Sequence, residues 1–470
     1  MNVNFALRPY QMAGVEALRQ AYKRGRRAPI YALPTGGGKT LVFSYITRNA
    51  VNHGSRVLIL VHRAELLRQS SNTLTRWGVP HGCISPAYPM TNQMVQVASV
   101  QTAVRRLTRI APPDFIIIDE AHHVIAGTWQ KVIEAFPRAR LLGVTATPAR
   151  LDGRGLGRHC GGVFDELIVG PSIAELIEGG FLVPPRVFAS PRHLNLSGVS
   201  TRGGDFANDQ LSRVMRQNEI VGDAVAHYAR TCPGVPAIAF CVSIDHATQV
   251  AQQFSAAGWR ARRIDGSMPD VERAAVVAAL AEGDLDVMVS VDLVSEGFDV
   301  PACGAAILMR PTQSETLFLQ QVGRALRPAP GKACAFILDH AGNVARHGLP
   351  QEVREWTLDG RRAREAAPEL KQCPSCYAML PRLTQTCPEC EYYFDERAAA
   401  ESTSGRGELN QVDGELIELT PEIIEQHRAQ RRREVEGAQS REELMRIARQ
   451  RGYNPRWVDH IMAARGRRSA

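Results

Sequence analysis

At about 150 residues per ordinary domain, a chain of 470 residues calls for roughly three. Hydrophobic residues make up 44% of it, enough for sizeable cores, and no run approaches the roughly 18 apolar residues of a membrane-spanning helix, which excludes one. The formal charge is +8, from 56 basic and 48 acidic side chains, and that balance raises nucleic acid as a partner.

The charge is unevenly placed. Of the basic residues 51 are Arg and 5 are Lys (Lys23, Lys39, Lys131, Lys332 and Lys371), so chemistry that needs an ammonium has few candidates. Residues 426–470 hold 12 Arg against 5 acids, a local +7, whereas 401–425 carry 7 acids and 1 Arg. Six of the 10 Cys (Cys83, Cys160, Cys232, Cys241, Cys303 and Cys334) are scattered and read as small buried hydrophobes. Residues 1–11 lack the pattern of a secretory signal, so a reducing cytosol is the expected compartment.

Along the chain, β-branched runs at 56–61, 94–98, 114–118 and 141–144 alternate with helical stretches. Continuous apolar strands interleaved with helices predict a parallel sheet covered on both faces, hence an α/β domain over residues 1–185. A Pro-rich stretch followed by Gly and Ser reads as a connection at 186–205. The alternation restarts with runs at 237–242, 287–291, 305–309 and 335–338, giving a second α/β domain over 206–350. A Cys-rich module at 365–397, an acidic linker at 398–425 and an Arg-rich, helical region at 426–470 complete the expected order.

After the run at 30–33, Leu33-Pro-Thr-Gly-Gly-Gly-Lys-Thr40 is a Gly-rich turn that opens a helix. Glycines let backbone N–H groups curl around phosphate oxygens where a Cβ would clash, and the helix start adds its positive dipole end. Pro34, Thr35, Gly36, Gly37 and Gly38 form the cradle, Lys39 reaches the β- and γ-phosphates of ATP, and Thr40 ligates Mg2+. The strict spacing of this motif fails at its first position, which is Leu33. Farther on, Phe115-Ile-Ile-Ile-Asp-Glu-Ala-His122 sets two carboxylates at the end of a buried strand, the edge at which parallel sheets bind ligands. Asp119 is the Mg2+ candidate, Glu120 the group that polarises attacking water, and His122 completes the set.

Gly36-Gly-Gly-Lys-Thr40 with Asp119-Glu-Ala-His122 resembles the superfamily 2 helicases in the DEAH spelling. The resemblance implies two tandem RecA-like parallel-sheet domains and roles for further segments that occur in the family's order. Leu7-Arg-Pro-Tyr-Gln11 is similar to the adenine-reading segment, with Arg8 and Gln11 toward ATP. Val61-His-Arg-Ala-Glu-Leu66 and Ala98-Ser-Val-Gln-Thr102 are similar to strand-contacting motifs, which assigns His62, Arg63, Ser99, Gln101 and Thr102 to nucleic acid. Thr145-Ala-Thr-Pro148 is similar to the motif that couples hydrolysis to movement, through Thr145 and Thr147. In the second domain, Ser295-Glu-Gly-Phe-Asp-Val-Pro301 supplies Gly297 and Asp299 to ATP. Gln320-Gln-Val-Gly-Arg-Ala-Leu-Arg327 supplies Gln320 and two arginine-finger candidates, Arg324 and Arg327.

Cys373-Pro-Ser-Cys376 and Cys387-Pro-Glu-Cys390 are two CxxC knuckles ten residues apart, a spacing that closes a structural Zn2+ site. Whether such a module touches nucleic acid or props up the domain stays open. A motor followed by four cysteines resembles the RadD (YejH) group of bacterial and phage DNA repair helicases. Thr147-Pro-Ala-Arg-Leu-Asp-Gly153, Gly170-Pro-Ser172, Gly266-Ser-Met-Pro-Asp-Val-Glu-Arg273 and Leu338-Asp-His-Ala-Gly-Asn343 add to the likeness. It implies DNA more than RNA as partner, repair or replication proteins as associates, and the cytoplasm of a bacterial or phage-infected cell. In the C-terminal region, Arg441-Glu-Glu-Leu-Met-Arg-Ile-Ala-Arg-Gln-Arg451 has a narrow amphipathic face, for phosphates or for packing on the motor.

Three other readings compete: the motor of a restriction or antiviral system, an RNA helicase, and an ATP-independent binding module with a dead motor. The last needs substitutions at Lys39, Glu120 or Arg324, and all three are intact.

Overall fold

The computed structural model describes residues 6–124, 127–150, 155–189, 199–202, 205–207, 209–211, 220–291 and 300–359. It also describes shorter stretches at 370–372, 379–381, 417–418, 420, 437–438, 440–451, 458 and 462. Two seven-stranded sheets organise it. The first comprises β1 (Pro29–Ala32), β2 (Val57–Val61), β3 (His81–Ile84), β4 (Val95–Ser99), β5 (Phe115–Asp119), β6 (Arg140–Thr145) and β7 (Glu166–Val169). Its spatial order is β3-β4-β2-β5-β6-β1-β7, with every pairing parallel.

Both faces are covered, and the strands show why. Along β2, Val57, Ile59 and Val61 enter one apolar cluster while Leu58 and Leu60 enter another. Successive side chains point to opposite faces, so a strand buried on both sides reads as an unbroken apolar run. The helices Pro9–Lys23, Lys39–Asn52 and Ala64–Arg76 pack with the first cluster, and Gly127–Ala135 with the second.

After β8 (Pro185–Ala189) come two short strands, β9 (Thr201–Arg202) and β10 (Asp205–Phe206). The second sheet then adds β11 (Ala237–Cys241), β12 (Ala261–Ile264), β13 (Val287–Val291), β14 (Ala305–Leu308) and β15 (Ala335–Asp339). Beyond them lie the antiparallel pair β16 (Leu370–Gln372) and β17 (Met379–Pro381), then β18 (Ile417–Glu418). The order is β12-β13-β11-β14-β15-β8-β18, parallel except for the antiparallel edge strand β18. Replacing β8, β11, β12, β13, β14 and β15 by β1 to β6 reproduces the order of the first sheet. One topology occurs twice, without a visible sequence repeat.

That correspondence corrects the expected connection at 186–205. Four of the five residues of β8 fall in that stretch, yet β8 is the second sheet's counterpart of β1, paired with β15 from Pro185↔Ala335 to Asp339↔Ala189. Proline is tolerated as the first residue of a strand, where its missing N–H costs no ladder bond, so Pro185 starts the strand instead of breaking it. Upstream, the helix Ile173–Glu178 sends Leu176 into the second core together with Leu182 and Val183. The crossover between lobes therefore falls near Gly170, where Ser172 caps that helix reciprocally with Glu175.

The expected acidic linker is corrected in one place as well. Ile417–Glu418 forms the outer edge of the second sheet, and Glu418 receives two bonds from Arg186, at 2.9 and 2.7 Å. The helix Arg441–Arg451 buries Leu444 completely.

A strap joins the lobes after the second sheet. All five N–H donors of Arg354 are used: one to Glu315 Oε1 (2.5 Å), the others to the carbonyls of His347, Leu349, Pro350 and Glu352. Trp356 packs against the second core and Leu358 against the first. The Leu358 carbonyl accepts from Gly157 N–H at 3.0 Å, and Asp359 meets His159 at 2.6 Å. Among the described residues no helix is long and apolar enough to cross a membrane.

Candidate nucleotide site and strand-contacting face

The loop follows β1 at the carboxyl end of the sheet, beside the ends of β6 and β5. Ala32 pairs with Thr145, Asp119 with Val144, and Leu33 N–H continues the ladder to the Thr145 carbonyl at 2.9 Å. The three expected segments at 33–40, 119–122 and 145–147 thus share one edge. Gly36 and Gly38 both have φ 88°, the left-handed region that glycine enters without strain, and Gly38 caps the helix Lys39–Asn52. Lys39 Nζ folds back over the cradle, 3.4 Å from the Leu33 carbonyl and 3.9 Å from Glu120 Oε1.

Segment 8–11 buttresses this loop. Gln11 is buried; its amide donates to the Gly37 carbonyl at 2.9 Å and accepts from Arg8 N–H at 3.0 Å. The Tyr10 hydroxyl reaches the same carbonyl at 2.9 Å. Arg8 lies over the Phe181 ring at 4.8 Å. Tyr10 and Phe181 are contacts the sequence did not single out, and Phe181 comes from the crossover.

At the end of β5, Asp119 Oδ1 accepts from Glu120 N–H at 3.0 Å. Glu120 takes φ 49°, the one positive φ among described residues other than glycine. Such a conformation costs of order 1–3 kcal/mol and persists where the surroundings enforce it. Its effect is to turn the carboxylate from the strand toward Lys39 and His122. Glu120 Oε2 is buried without a hydrogen bond, 3.5 Å from His122 Nδ1.

From His122 a hydrogen-bonded chain crosses to the second lobe. Thr145 Oγ1 donates to the Thr147 carbonyl (2.9 Å) and accepts from Thr147 N–H (3.2 Å). A hydroxyl has one donor, so Thr145 must accept from His122 Nδ1–H at 3.0 Å, which fixes the imidazole tautomer. Thr147 Oγ1 then donates to Thr316 Oγ1 at 3.0 Å, both residues buried.

Thr316 begins the helix Glu315–Ala325, which buries Gln320 and Arg324. A Cβ on Gly323 would come within 2.6 Å of Thr35, so this helix lies directly on the nucleotide loop. A Cβ on Gly36 would sit 3.4 Å from Arg327 Cγ. Residues expected in two separate domains therefore converge on one loop. Thr316 was missed because a threonine in a first helical turn reads as ordinary helix-start chemistry.

On the neighbouring strand ends, Gln101 donates to the His62 carbonyl at 3.3 Å and Ser99 to Gln101 Oε1 at 2.8 Å. Thr102 is buried beneath them and Arg63 caps the helix Ala64–Arg76. The His62 ring contacts His123, and His123 contacts His122, so this group adjoins the carboxylates. A second interlobe contact, unread in the sequence, joins Glu65 to Arg273 at 2.8 Å and Arg68 to Asp270 at 3.0 Å. Gly297, Asp299, Cys373, Cys376, Cys387 and Cys390 lie outside the described residues. The first Cys pair falls between β16 and β17.

A glycine-lined loop with its lysine and facing acids, and a second lobe packed on it, is the arrangement of nucleotide-driven two-lobed motors. Residues 4–150 match the family described as "Type III restriction enzyme, res subunit", and 221–329 match "Helicase conserved C-terminal domain". A 51.5 kDa protein of Lactococcus phage (isolate 7-9) is 34% identical over 391 residues, covering 82% of each chain. A provisionally named ATP-dependent helicase of Saccharomyces cerevisiae, IRC3, is 28% identical over 72% of this chain and 51% of its own. Among solved structures, a fragment provisionally assigned as the HsdR subunit of a type I restriction enzyme from Vibrio vulnificus YJ016 superposes with TM-score 0.57. Its identity is 22%, over 73% of this chain and 65% of that one. The chain belongs to the superfamily 2 helicases, ATP-dependent motors that bind nucleic acid.

Proposed function

We propose that the protein is an ATP-driven DNA helicase or translocase of the RadD-like, DEAH-spelled type, acting in repair, recombination or phage replication. The observation that carries this is the contact of the helix Glu315–Ala325 with the nucleotide loop, through Gly323 on Thr35 and the Thr147–Thr316 bond. ATP then binds between lobes, and a complete site exists only when they close.

Gly36 to Gly38 present backbone donors to the phosphates, and Lys39 exchanges its contacts with Leu33 and Glu120 for phosphate oxygens. Glu120, whose Oε2 is buried and without a bond, takes the proton of the attacking water. Thr40 and Asp119 are an all-oxygen donor set suited to Mg2+, which neutralises developing phosphate charge when bound. Arg324 and Arg327 stabilise that charge from the second lobe, and the family motif at 295–301 assigns Gly297 and Asp299 to ATP as well. Gln11, already on the Gly37 carbonyl, and Arg8 sit where a base would approach. His62, Arg63, Ser99, Gln101 and Thr102 grip the strand backbone. The domain order of the sequence reading, with the crossover moved to about residue 170, and a Zn2+ site at Cys373, Cys376, Cys387 and Cys390 belong to the same proposal.

Steady-state ATPase rates with single-stranded DNA, forked DNA, duplex and RNA in parallel test it. DNA-stimulated turnover lost in both Lys39→Ala and Glu120→Gln is expected; survival in either, or preference for RNA, overturns it. A restriction motor is the second reading, favoured by the match of residues 4–150 to a restriction-enzyme family, and ATP-dependent DNA cleavage with a partner would establish it.

A further inference from the structure

Lys332 is one of five lysines in the chain and belongs to none of the motifs. It stands five residues beyond Arg327, after a turn in which its N–H bonds the Ala329 carbonyl at 3.1 Å and Gly331 takes φ 77°. The turn folds its side chain back beneath the segment it has just left. There the ammonium donates to the carbonyls of Arg327 and Cys303, each at 2.6 Å, and of Pro301 at 3.4 Å. Three N–H donors meet three acceptors, the full capacity of an ammonium.

Two of the acceptors end motifs of the second lobe, and the third lies two residues beyond one of them. Arg327 ends the motif 320–327, and its side-chain stem lies beside Gly36 of the phosphate loop. Pro301 ends the motif 295–301, with Cys303 two residues on. The carbonyl preceding that of Arg327, on Leu326, is held by Val183 N–H at 2.9 Å. Successive carbonyls are thus held by different segments, one by the crossover and one by Lys332.

We propose that Lys332 is a positioning residue for ATP hydrolysis: its ammonium ties the Arg327 carbonyl to the turn at Pro301–Cys303 and so sets where the Arg327 side chain meets the nucleotide. The proposal rests on the reading of Arg327 as a γ-phosphate ligand. A lysine that merely filled space would be indifferent to its protonation. This one is not, because a neutral amine keeps two N–H donors for three carbonyls. Burial lowers the Lys332 ammonium to about 8, with the Arg327 charge adding to the effect. Burial pushes the Cys303 thiol up to about 11, so it stays neutral while Lys332 titrates. Cys334 is the remaining ionisable neighbour and needs its own control.

The experiment is DNA-stimulated ATPase kinetics of the full chain from pH 6.5 to 9.5, for wild type, Lys332→Met, Arg327→Ala and Cys334→Ser, with thermal melts of each. Expected at pH 7 is a kcat at least 10-fold below wild type in Lys332→Met, with KM for ATP within threefold and a cooperative melt retained. Wild-type and Cys334→Ser kcat should fall as pH rises through about 8, whereas Lys332→Met stays flat. A Lys332→Met enzyme within twofold of wild type, beside an inactive Arg327→Ala, overturns the positioning role. A fully active Arg327→Ala overturns the arginine-finger reading instead. Should Lys332→Met fail to fold, the unaltered protein decides: a kcat flat from pH 7 to 9.5 sinks the proposal.

Discussion

Thr316→Val is the most informative perturbation of interlobe coupling. Valine matches threonine in shape, so the helix keeps its packing and loses one hydroxyl. In the closed arrangement the Thr147 hydroxyl is then left buried; its residue is 1% exposed and its bond to Thr316 is gone. An unsatisfied buried donor costs roughly 1–3 kcal/mol. With the lobes apart both positions meet water and the cost vanishes, so the penalty falls on closure alone. At about 1.4 kcal/mol per factor of ten, the closed population drops on the order of 5- to 100-fold.

Thr147→Val should be milder. It removes the donor and leaves Thr316, whose oxygen loses only an incoming bond and which, in the first turn of its helix, is the less buried of the two. Thr147 bonds Thr145 through its backbone, which valine preserves. The double variant pairs two methyl groups and should recover toward wild type, as matched apolar replacements do. Strand-stimulated kcat of the four proteins, with melts to verify folding, measures this. A Thr316→Val enzyme within twofold of wild type, or a double variant worse than both singles, refutes the reasoning.

Two further outcomes are expected. Purified protein should contain one equivalent of zinc that Cys373→Ser removes; full occupancy after that change would dismiss the four-cysteine site. Arg260 grips Asp286 through Nε and Nη2, at 3.0 and 2.6 Å, and holds its carboxyl below the usual carboxylate range. A depressed folded pKa stabilises above the unfolded value, about 3.9, and that stability is lost as pH falls through the folded one. The stability difference between wild type and Asp286→Asn, from urea melts, should therefore shrink below pH 4, and a difference constant from pH 7 to 3 would contradict it.

The first sheet was largely legible because its strands are buried on both faces and so appear as unbroken apolar runs, as at 57–61 and 115–118. β8 was not, since a strand opened by Pro184-Pro185 carries the same letters as a turn, and only its place beside β15 distinguishes them. The two residues of β18 are too few for any periodicity, and their acidic surroundings resemble a solvated linker. That the loop at 33–40 and the acids ending β5 share one sheet edge was readable, because parallel sheets gather such groups at the carboxyl ends of their strands. The contacts between lobes were not: Thr147 meets Thr316 and Glu65 meets Arg273 across separations of 169 and 208 residues. No local spacing encodes such pairs. They follow from how two sheets of like topology face one another.

The strap after β15 bounds how such a motor can open. Arg354 is fixed to the second lobe by five hydrogen bonds, and Leu358 packs against the apolar core of the first while its carbonyl accepts from Gly157 N–H. Four residue steps separate them, a span of at most about 14 Å when fully extended. The lobes therefore cannot draw apart along this edge without tearing out one anchor. Any wide opening must be a swing about the strap, with the greatest travel on the opposite side of the cleft.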